Sequence, residues 1–279
     1  MTRLSKLHAT GNDFLVTTDP EAGRLAVALC DRHTGIGADG VMILAPGRDG
    51  ADATMTLFNA DGSLAEMSGN GVRCLAWVAR RDGMGTPERL VVDTGGGRRS
   101  LDLVCDAAGV LVQAVCDMGA LTFEPAAIPL VADRADGLIA AVDAATFEGD
   151  AVGIGNPHWV LVVDDPATID LAAVGPRLEH DSRFPNRVNV EVIARTAPDT
   201  LTMRVWERGV GETRSCGTGA CAAAAVAHRR GLVGAAVTVL VPGGTLRVEL
   251  GDTARLGGPV GHVFDVDVDL MSDAFGPRS

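Results

Sequence analysis

Cys216 opens a run, CGTGACAAAAVAHRRG over residues 216–231, in which a possible sulfur nucleophile stands at a predicted helix N-terminus. The Gly217-Thr218-Gly219 sequence leaves backbone N–H groups uncovered. The alanines beyond it, with Cys221 and Val226, form a small-sided apolar helix that neighbours can approach closely. Such an N-terminus has two chemical uses. Its partial positive charge favours thiolate over thiol, lowering a free-cysteine pKa of roughly 8.5, and its N–H groups can hold a carboxylate beside the sulfur. Taken alone, a cysteine here is more readily a structural residue at the head of a core helix, since free cysteine is among the most buried residue types.

A second copy of the stretch changes that balance. SGNGVRCLAWVARRDG, residues 68–83, aligns with residues 216–231 at an offset of 148, pairing Ser68 with Cys216, Gly69 with Gly217, Gly71 with Gly219, Ala76 with Ala224 and Gly83 with Gly231. The same offset carries Met55 and Phe58 onto Met203 and Trp206, and Gly95-Gly96 onto Gly243-Gly244. One constant offset across such a span marks two repeated halves, each a strand, a loop, a Gly-rich helix start, a helix and a hairpin. If the two helix starts face one another, a small ligand lies between Ser68 and Cys216, since clefts between domains are common binding sites.

The elements that must carry these residues follow along the chain. Residues 4–7 and 14–17 read as short strands around the polar turn His8-Ala-Thr-Gly-Asn12-Asp13, and residues 21–31 have helical spacing. Gly35-Ile-Gly-Ala-Asp-Gly40 matches a dinucleotide-binding GxGxxG, yet it follows a helix and precedes a strand at 41–44; that reversed order excludes a Rossmann reading. A strand at 53–58 delivers the turn Asn59-Ala-Asp-Gly-Ser63, and strands are predicted at 89–93, 99–105 and 110–116. The irregular, proline-containing segment 117–130 holds the domain junction. The second half repeats the plan: residues 150–153, the turn Ile154-Gly-Asn156-Pro-His158, a strand at 159–163, a helix at 166–180, a strand at 190–194 reached through Asn189, and a strand at 201–206 leading to Glu207 and Arg208. Strands at 236–241, 245–250 and 259–269 complete it.

Composition excludes several function classes. At 279 residues, with 47% apolar and 22% charged residues, the chain can bury a core in each of two domains. A formal charge of −12 argues against nucleic acid or an anionic membrane as partner. The absence of a long apolar run and of a signal-peptide h-region in MTRLSKLHATGNDF sets cytoplasmic localisation as the expectation. The six cysteines form no CxxC pair and suit reduced thiols better than disulfides or a metal site. Lys6 is the sole lysine and lies in an N-terminal strand without phosphate-binding context, so pyridoxal-phosphate chemistry is not expected and no cofactor is assigned. His8 and His158 read as hydrogen-bonded structural residues beside turns and are left out of the mechanism.

The motifs HATGNDF, FNADGSxxEMSGNGxRC, GNPHW, FPNRVNV and WERGVGETRSCGTGA occur in this order from near residue 6 to beyond residue 200, and together they resemble the diaminopimelate epimerase family. The resemblance implies an α/β (α+β type) fold of two pseudo-symmetric domains, each a mixed curled β-sheet wrapped around a central helix. The expected halves are 1–117, joined by the C-terminal tail 264–279, and 118–263. It implies a cofactor-independent epimerase acting on a small diamino dicarboxylate, and a homodimer. By the same resemblance Asn12, Asn70 and Asn156, with the N–H groups of Gly69, Gly217 and Thr218, surround the reacting amino-acid centre. Asn59, Asn189, Glu207 and Arg208 grip the distal amino-carboxylate group. Taken singly, each asparagine reads as a turn residue bonding its own backbone.

The family's chemistry uses two cysteines on opposite faces of the α-carbon, and this chain departs from it at Ser68, where the first cysteine is expected. A hydroxyl ionises far less readily than a thiol, and Cys74, six residues along the same helix, is no substitute. Three enzymatic readings stay open: a weakened epimerase, slow inversion with Ser68 as acid or water carrier, or a relative working with Cys216 alone. A fourth reading, from another class, is an amino-acid-binding protein that kept the site and lost the reaction.

Overall fold

The computed structural model describes residues 1–143 and 145–272. The chain runs β1 Thr2–Ala9, β2 Asn12–Thr17, two short helices α1 Glu21–Arg24 and α2 Ala26–Cys30, β3 Gly40–Pro46, β4 Ala53–Asn59, β5 Leu64–Ala65, α3 Gly69–Arg81, β6 Arg89–Thr94, β7 Gly97–Cys105 and β8 Leu111–Gly119. It continues through β9 Leu138–Val142, β10 Ala145–Gly153, β11 Pro157–Val162, α4 Leu171–Glu179, β12 Asn189–Ala197, β13 Thr200–Glu207, β14 Gly211–Thr213, α5 Gly217–Arg229, β15 Ala236–Val241, β16 Gly244–Leu250, β17 Ala254–Pro259 and β18 Gly261–Val268. Two compact units result: Met1–Cys116 with the segment from Gly258 onward, and Asp117–Gly257.

In the first unit the strands pair in the order β18, β1, β2, β3, β4, after which β5 and β6 both pair with β4, and β7 and β8 follow. The β2–β3 and β4–β6 pairs are parallel and the rest antiparallel. In the second unit β9, β10, β11, β12 and β13 are followed by β14 and β15, both paired with β13, then β16 and β17. Here too β11–β12 and β13–β15 are the parallel pairs. The two sheets therefore repeat strand for strand. They differ in the source of the first strand, which comes from the C-terminal region in one unit and from just before β10 in the other.

Each sheet packs on a 13-residue helix, and shorter helices flank it. α3 lies against β1, β2, β3 and β4, and α5 lies against their counterparts β10, β11, β12 and β13. Every residue from Ala220 to Ala227 is buried, which fits a helix enclosed by its sheet; seven of these eight side chains are Ala or Cys, so the backbones approach closely. Small residues also seat the flanking helices. A Cβ on Gly23 would stand 2.3 Å from the Phe58 ring, and one on Gly175 would stand 2.5 Å from the Trp206 ring. Phe58 and Trp206 are themselves repeat partners, so both units seat a helix on an aromatic ring through a glycine.

Several expectations are corrected at element ends. The helix expected at 21–31 is broken at Leu25 (φ −102°, ψ 12°). The helix expected at 166–180 resolves into a 3-10 turn, Pro166–Thr168, and α4, whose start is fixed by the Asp170 side chain accepting from the Ala173 N–H. The strand expected at 259–269 is two strands parted at Val260. Residues 138–142 form β9 and 145–149 the first half of β10, and these, like the short β5 and β14, carry no periodic signal. Residues 273–279 of the expected tail lie outside the described residues.

Candidate active site

The two helix starts are built alike. Ser68 precedes α3 in extended conformation (φ −136°, ψ 121°), and its Oγ accepts from the Gly71 N–H at 3.0 Å. Cys216 precedes α5 with nearly the same backbone (φ −123°, ψ 119°), and its Sγ accepts from the Gly219 N–H at 3.4 Å and meets Thr218 Oγ1 at 3.4 Å. The paired glycines are needed for different reasons. A Cβ on Gly71 would meet Met42 Sδ at 3.2 Å, and one on Gly219 would meet Glu191 Oε1 at 2.6 Å. A carboxylate therefore lies under the α5 N-terminus where a thioether lies under that of α3.

In the second unit this carboxylate belongs to a buried polar cluster. Asn189 and Glu191, two apart on β12, point to one face of the sheet. Glu191 Oε1 lies 2.7 Å from His158 Nδ1, both side chains fully buried, and His158 Nε2 lies 3.0 Å from Asn156 Oδ1. At the end of β13 Glu207 accepts from Thr213 Oγ1 at 2.5 Å, close enough to Cys216 for its charge to act on the thiol. Asn156, Thr218, Glu207 and Cys216 are thus gathered around the α5 N-terminus. His158, which sequence reasoning had set aside, and Glu191, which it had missed, belong to the same cluster. The available signal for Glu191 was a charged residue at an inward position of an otherwise apolar strand.

The electrostatics overturn one expectation. The dipole at the α5 N-terminus favours a thiolate, but in the free chain the Cys216 thiol is pushed well above the ordinary cysteine range. Burial is the largest cause, followed by the negative charges of Glu207 and Glu191; the Thr218 and Gly219 hydrogen bonds oppose them without prevailing. Burial likewise raises Glu207, against the hydrogen bond from Thr213. At rest the sulfur carries its proton beside a carboxylate with raised affinity for one.

Nearby, Asn189 Nδ2 donates to the Pro157 carbonyl at 2.9 Å and its Oδ1 accepts the Arg208 N–H at 2.9 Å. The Arg208 guanidinium donates to the Asn186 carbonyl at 3.2 Å. Glu207, grouped with these residues by the resemblance, has its carboxylate turned to Cys216 and Thr213.

In the first unit Asn12 and Asn70 meet beside α3. Arg73 Nη2 donates to Asn70 Oδ1 at 2.7 Å, Asn70 Nδ2 donates to Asn12 Oδ1 at 3.3 Å, and Asn12 Nδ2 donates to Asp39 Oδ2 at 2.6 Å. The Gly35–Gly40 motif thus contributes Asp39, not a dinucleotide loop. Gly69 is buried in the first turn of α3. Asn59 is exposed, with its amide donating within its own turn to Ser63 Oγ at 3.0 Å. Lys6 Nζ pairs with Asp13 at 2.9 Å and also donates to the Gly37 carbonyl, in a network that includes Arg32.

Residues 4–123 and 150–260 match the family described as diaminopimelate epimerase. Similar proteins include diaminopimelate epimerase 1 of Nostoc sp., 40% identical over 276 residues covering 93% of this chain and 97% of that protein. The diaminopimelate epimerase of Pseudomonas entomophila is 41% identical over 278 residues, covering 96% and 99%. Among solved structures, a hydroxyproline epimerase from Agrobacterium vitis with bound trans-4-hydroxy-L-proline superposes with a TM-score of 0.71 at 19% identity, covering 99% of this chain and 93% of that one. A probable proline racemase from Agrobacterium radiobacter gives 0.73 at 17% identity, covering 100% and 97%. At these identities the two structures establish the shared fold.

Proposed function

This chain belongs to the diaminopimelate epimerase family, and from that premise we propose how its residues epimerise LL-2,6-diaminopimelate to the meso form, a step of lysine biosynthesis. The observation that carries the reading is the buried Cys216 thiol capping the α5 N-terminus through the Gly219 N–H, with the Glu207 carboxylate close enough for its charge to raise the thiol. The substrate α-carboxylate takes the N–H groups of Gly217 and Thr218. The Cys216 proton passes to Glu207, and the sulfur takes the α-hydrogen as it is uncovered. Negative charge developing on the substrate is stabilised by the fixed N–H groups, which need no reorganisation.

On the opposite face Ser68 supplies the incoming proton. The α-carbanion is a stronger base than an alkoxide, so transfer from the hydroxyl is downhill, and water then reprotonates Ser68 while Glu207 releases its proton to solvent. The reverse reaction must pass through a Ser68 alkoxide. Microscopic reversibility therefore slows both directions relative to a pair of thiols. Asn12, Asn70 and Asn156 surround the reacting centre, while Asn59, Asn189 and Arg208 hold the distal group, Arg208 facing its carboxylate. No cofactor is used: Lys6 is held by Asp13 and the Gly37 carbonyl. A cytoplasmic homodimer completes the proposal, on the resemblance alone; among the described residues no helix is long and apolar enough to cross a membrane.

The test is direct. Protein dialysed against a chelator is incubated with LL-diaminopimelate in the presence of a carbonyl reagent, and the stereoisomers are resolved by chromatography. Accumulation of the meso isomer supports the reading. Tight binding with the LL isomer unchanged would make the chain a binding protein.

A further inference from the structure

Glu179, the last residue of α4, lies outside the site described above yet is almost fully buried, at 4% exposure. Its Oε1 accepts from the Gly209 N–H at 2.8 Å and from Arg187 Nη1 at 3.2 Å, and its Oε2 accepts from Trp206 Nε1 at 2.8 Å. The Glu179 carbonyl accepts the Val188 N–H at 3.2 Å. One residue therefore ties the end of α4 to two segments: the 186–189 turn, and the strap 207–211 that joins β13 to β14. Burial alone would raise the Glu179 carboxyl, but the Trp206 and Gly209 hydrogen bonds, with His180 and Arg187 nearby, bring it below the usual range.

Arg208 stands in the middle of this arrangement. Its own N–H is held by Asn189 Oδ1 at 2.9 Å, and the next N–H along the chain, that of Gly209, is held by Glu179. The strap needs such ties. Gly209 (φ +77°) and Gly211 (φ +106°) take conformations that glycine adopts freely, and Val210 at its tip is 73% exposed. Glu207 is fixed independently by Thr213, whereas the Arg208 guanidinium has the Asn186 carbonyl of the turn that Glu179 also braces. Only a carboxylate, with two acceptor-only oxygens, satisfies three donors from these directions.

We propose that Glu179 is a positioning residue for substrate selection: by pinning the strap and the 186–189 turn together, it sets where Arg208 presents its guanidinium to the second carboxylate of the substrate. The inference rests on the reading of Arg208 as the distal carboxylate ligand. In Glu179→Gln the amide nitrogen must confront either the Trp206 N–H or the Gly209 and Arg187 donors. KM for LL-diaminopimelate then rises about 10- to 100-fold, the factor by which the cost of one unsatisfied buried donor would depopulate the pinned strap, while kcat stays within about threefold because Glu207 and Cys216 keep their own contacts.

The experiment measures KM and kcat for LL-diaminopimelate, and α-deuterium exchange of an amino acid lacking the distal carboxylate, in the parent, Glu179→Gln, Glu179→Asp and Arg208→Met. Thermal unfolding of each variant is followed alongside. Glu179→Asp keeps the charge but withdraws the oxygens by one methylene, so it should raise KM in the same way and serves if the glutamine variant does not fold. Adding Trp206→Phe to Glu179→Gln removes one confronting donor and should recover most of the lost KM. Raised KM for the dicarboxylate, with exchange of the simpler amino acid preserved, supports the proposal. Raised KM in Arg208→Met but not in a folded Glu179 variant overturns it. Equal losses for both substrates would reduce Glu179 to a structural brace, and an unchanged KM in Arg208→Met would overturn the assignment of Arg208 itself.

Discussion

Replacing Ser68 with cysteine restores sulfur at a helix start already shaped for it. Ser68 and Cys216 share their backbone conformation to within 15° in φ and in ψ, and each accepts the N–H three residues on, so a thiol at position 68 can take the cap that Cys216 takes on α5. Exchanging the serine cap for a weaker sulfur one costs about 0.5–1 kcal/mol of stability. The electrostatic setting differs from that of Cys216. Carried through the repeat, the position of Glu207 is Asn59 and that of Glu191 is Met42, so within its own unit the new sulfur meets no carboxylate at those two positions. Neither of the charges that raise Cys216 is thus repeated there, and the α3 N-terminus favours the thiolate. The rate of LL-to-meso conversion should rise about 10²–10⁴-fold, the range for a positioned acid or base, equivalent to roughly 2.7–5.5 kcal/mol of barrier. KM should change little, because the N–H groups of Gly69, Gly217 and Thr218 are untouched. The assay compares initial rates by chiral chromatography with thermal unfolding. Oxidation should also inactivate the variant reversibly, through a disulfide between positions 68 and 216, and spare the parent. A folded variant no faster than the parent and insensitive to oxidant would refute the pairing of the two caps.

Arg208→Met should weaken binding of diaminopimelate by about 2–5 kcal/mol, the penalty for unpairing a desolvated charge, and leave a monocarboxylate amino acid nearly unaffected in calorimetric titration. Cys74 is fully buried and its thiol is pushed up to about 12 by burial from a reference of 9.0. The folded state keeps that proton while the unfolded chain loses it, so stability is full below pH 9 and falls through pH 12 at about 1.4 kcal/mol per unit. Denaturant unfolding across that range should flatten by one proton in Cys74→Ala; an unchanged slope would assign the alkaline loss elsewhere.

The repeat was legible because one offset ran through helix starts, strands and glycines alike, and the two sheets follow it to the level of parallel and antiparallel pairs. Strand alternation located β4, β15 and β16 closely, since one face of each is buried. What sequence periodicity could not supply was the charge environment of Cys216. A helix start predicts a lowered thiol, but Glu191 and Glu207 arrive from β12 and β13, remote in sequence, and together with burial they reverse the sign. His158 shows the same limit. Beside a Gly-Asn turn it reads as structural, and only the pairing of β11 with β12 sets it against Glu191. The chain distance between Glu179 and Gly209 likewise hid the tie that braces Arg208.

The central claim is that Cys216, with Glu207 as its proton acceptor, removes the α-proton. It is tested most directly by incubating LL-diaminopimelate in deuterated water with the parent and with Cys216→Ala, following both α-deuterium content and product configuration. The account predicts deuterium in the meso product from the parent and neither exchange nor inversion from Cys216→Ala. Exchange that persists in a folded Cys216→Ala variant would contradict it and place the base elsewhere.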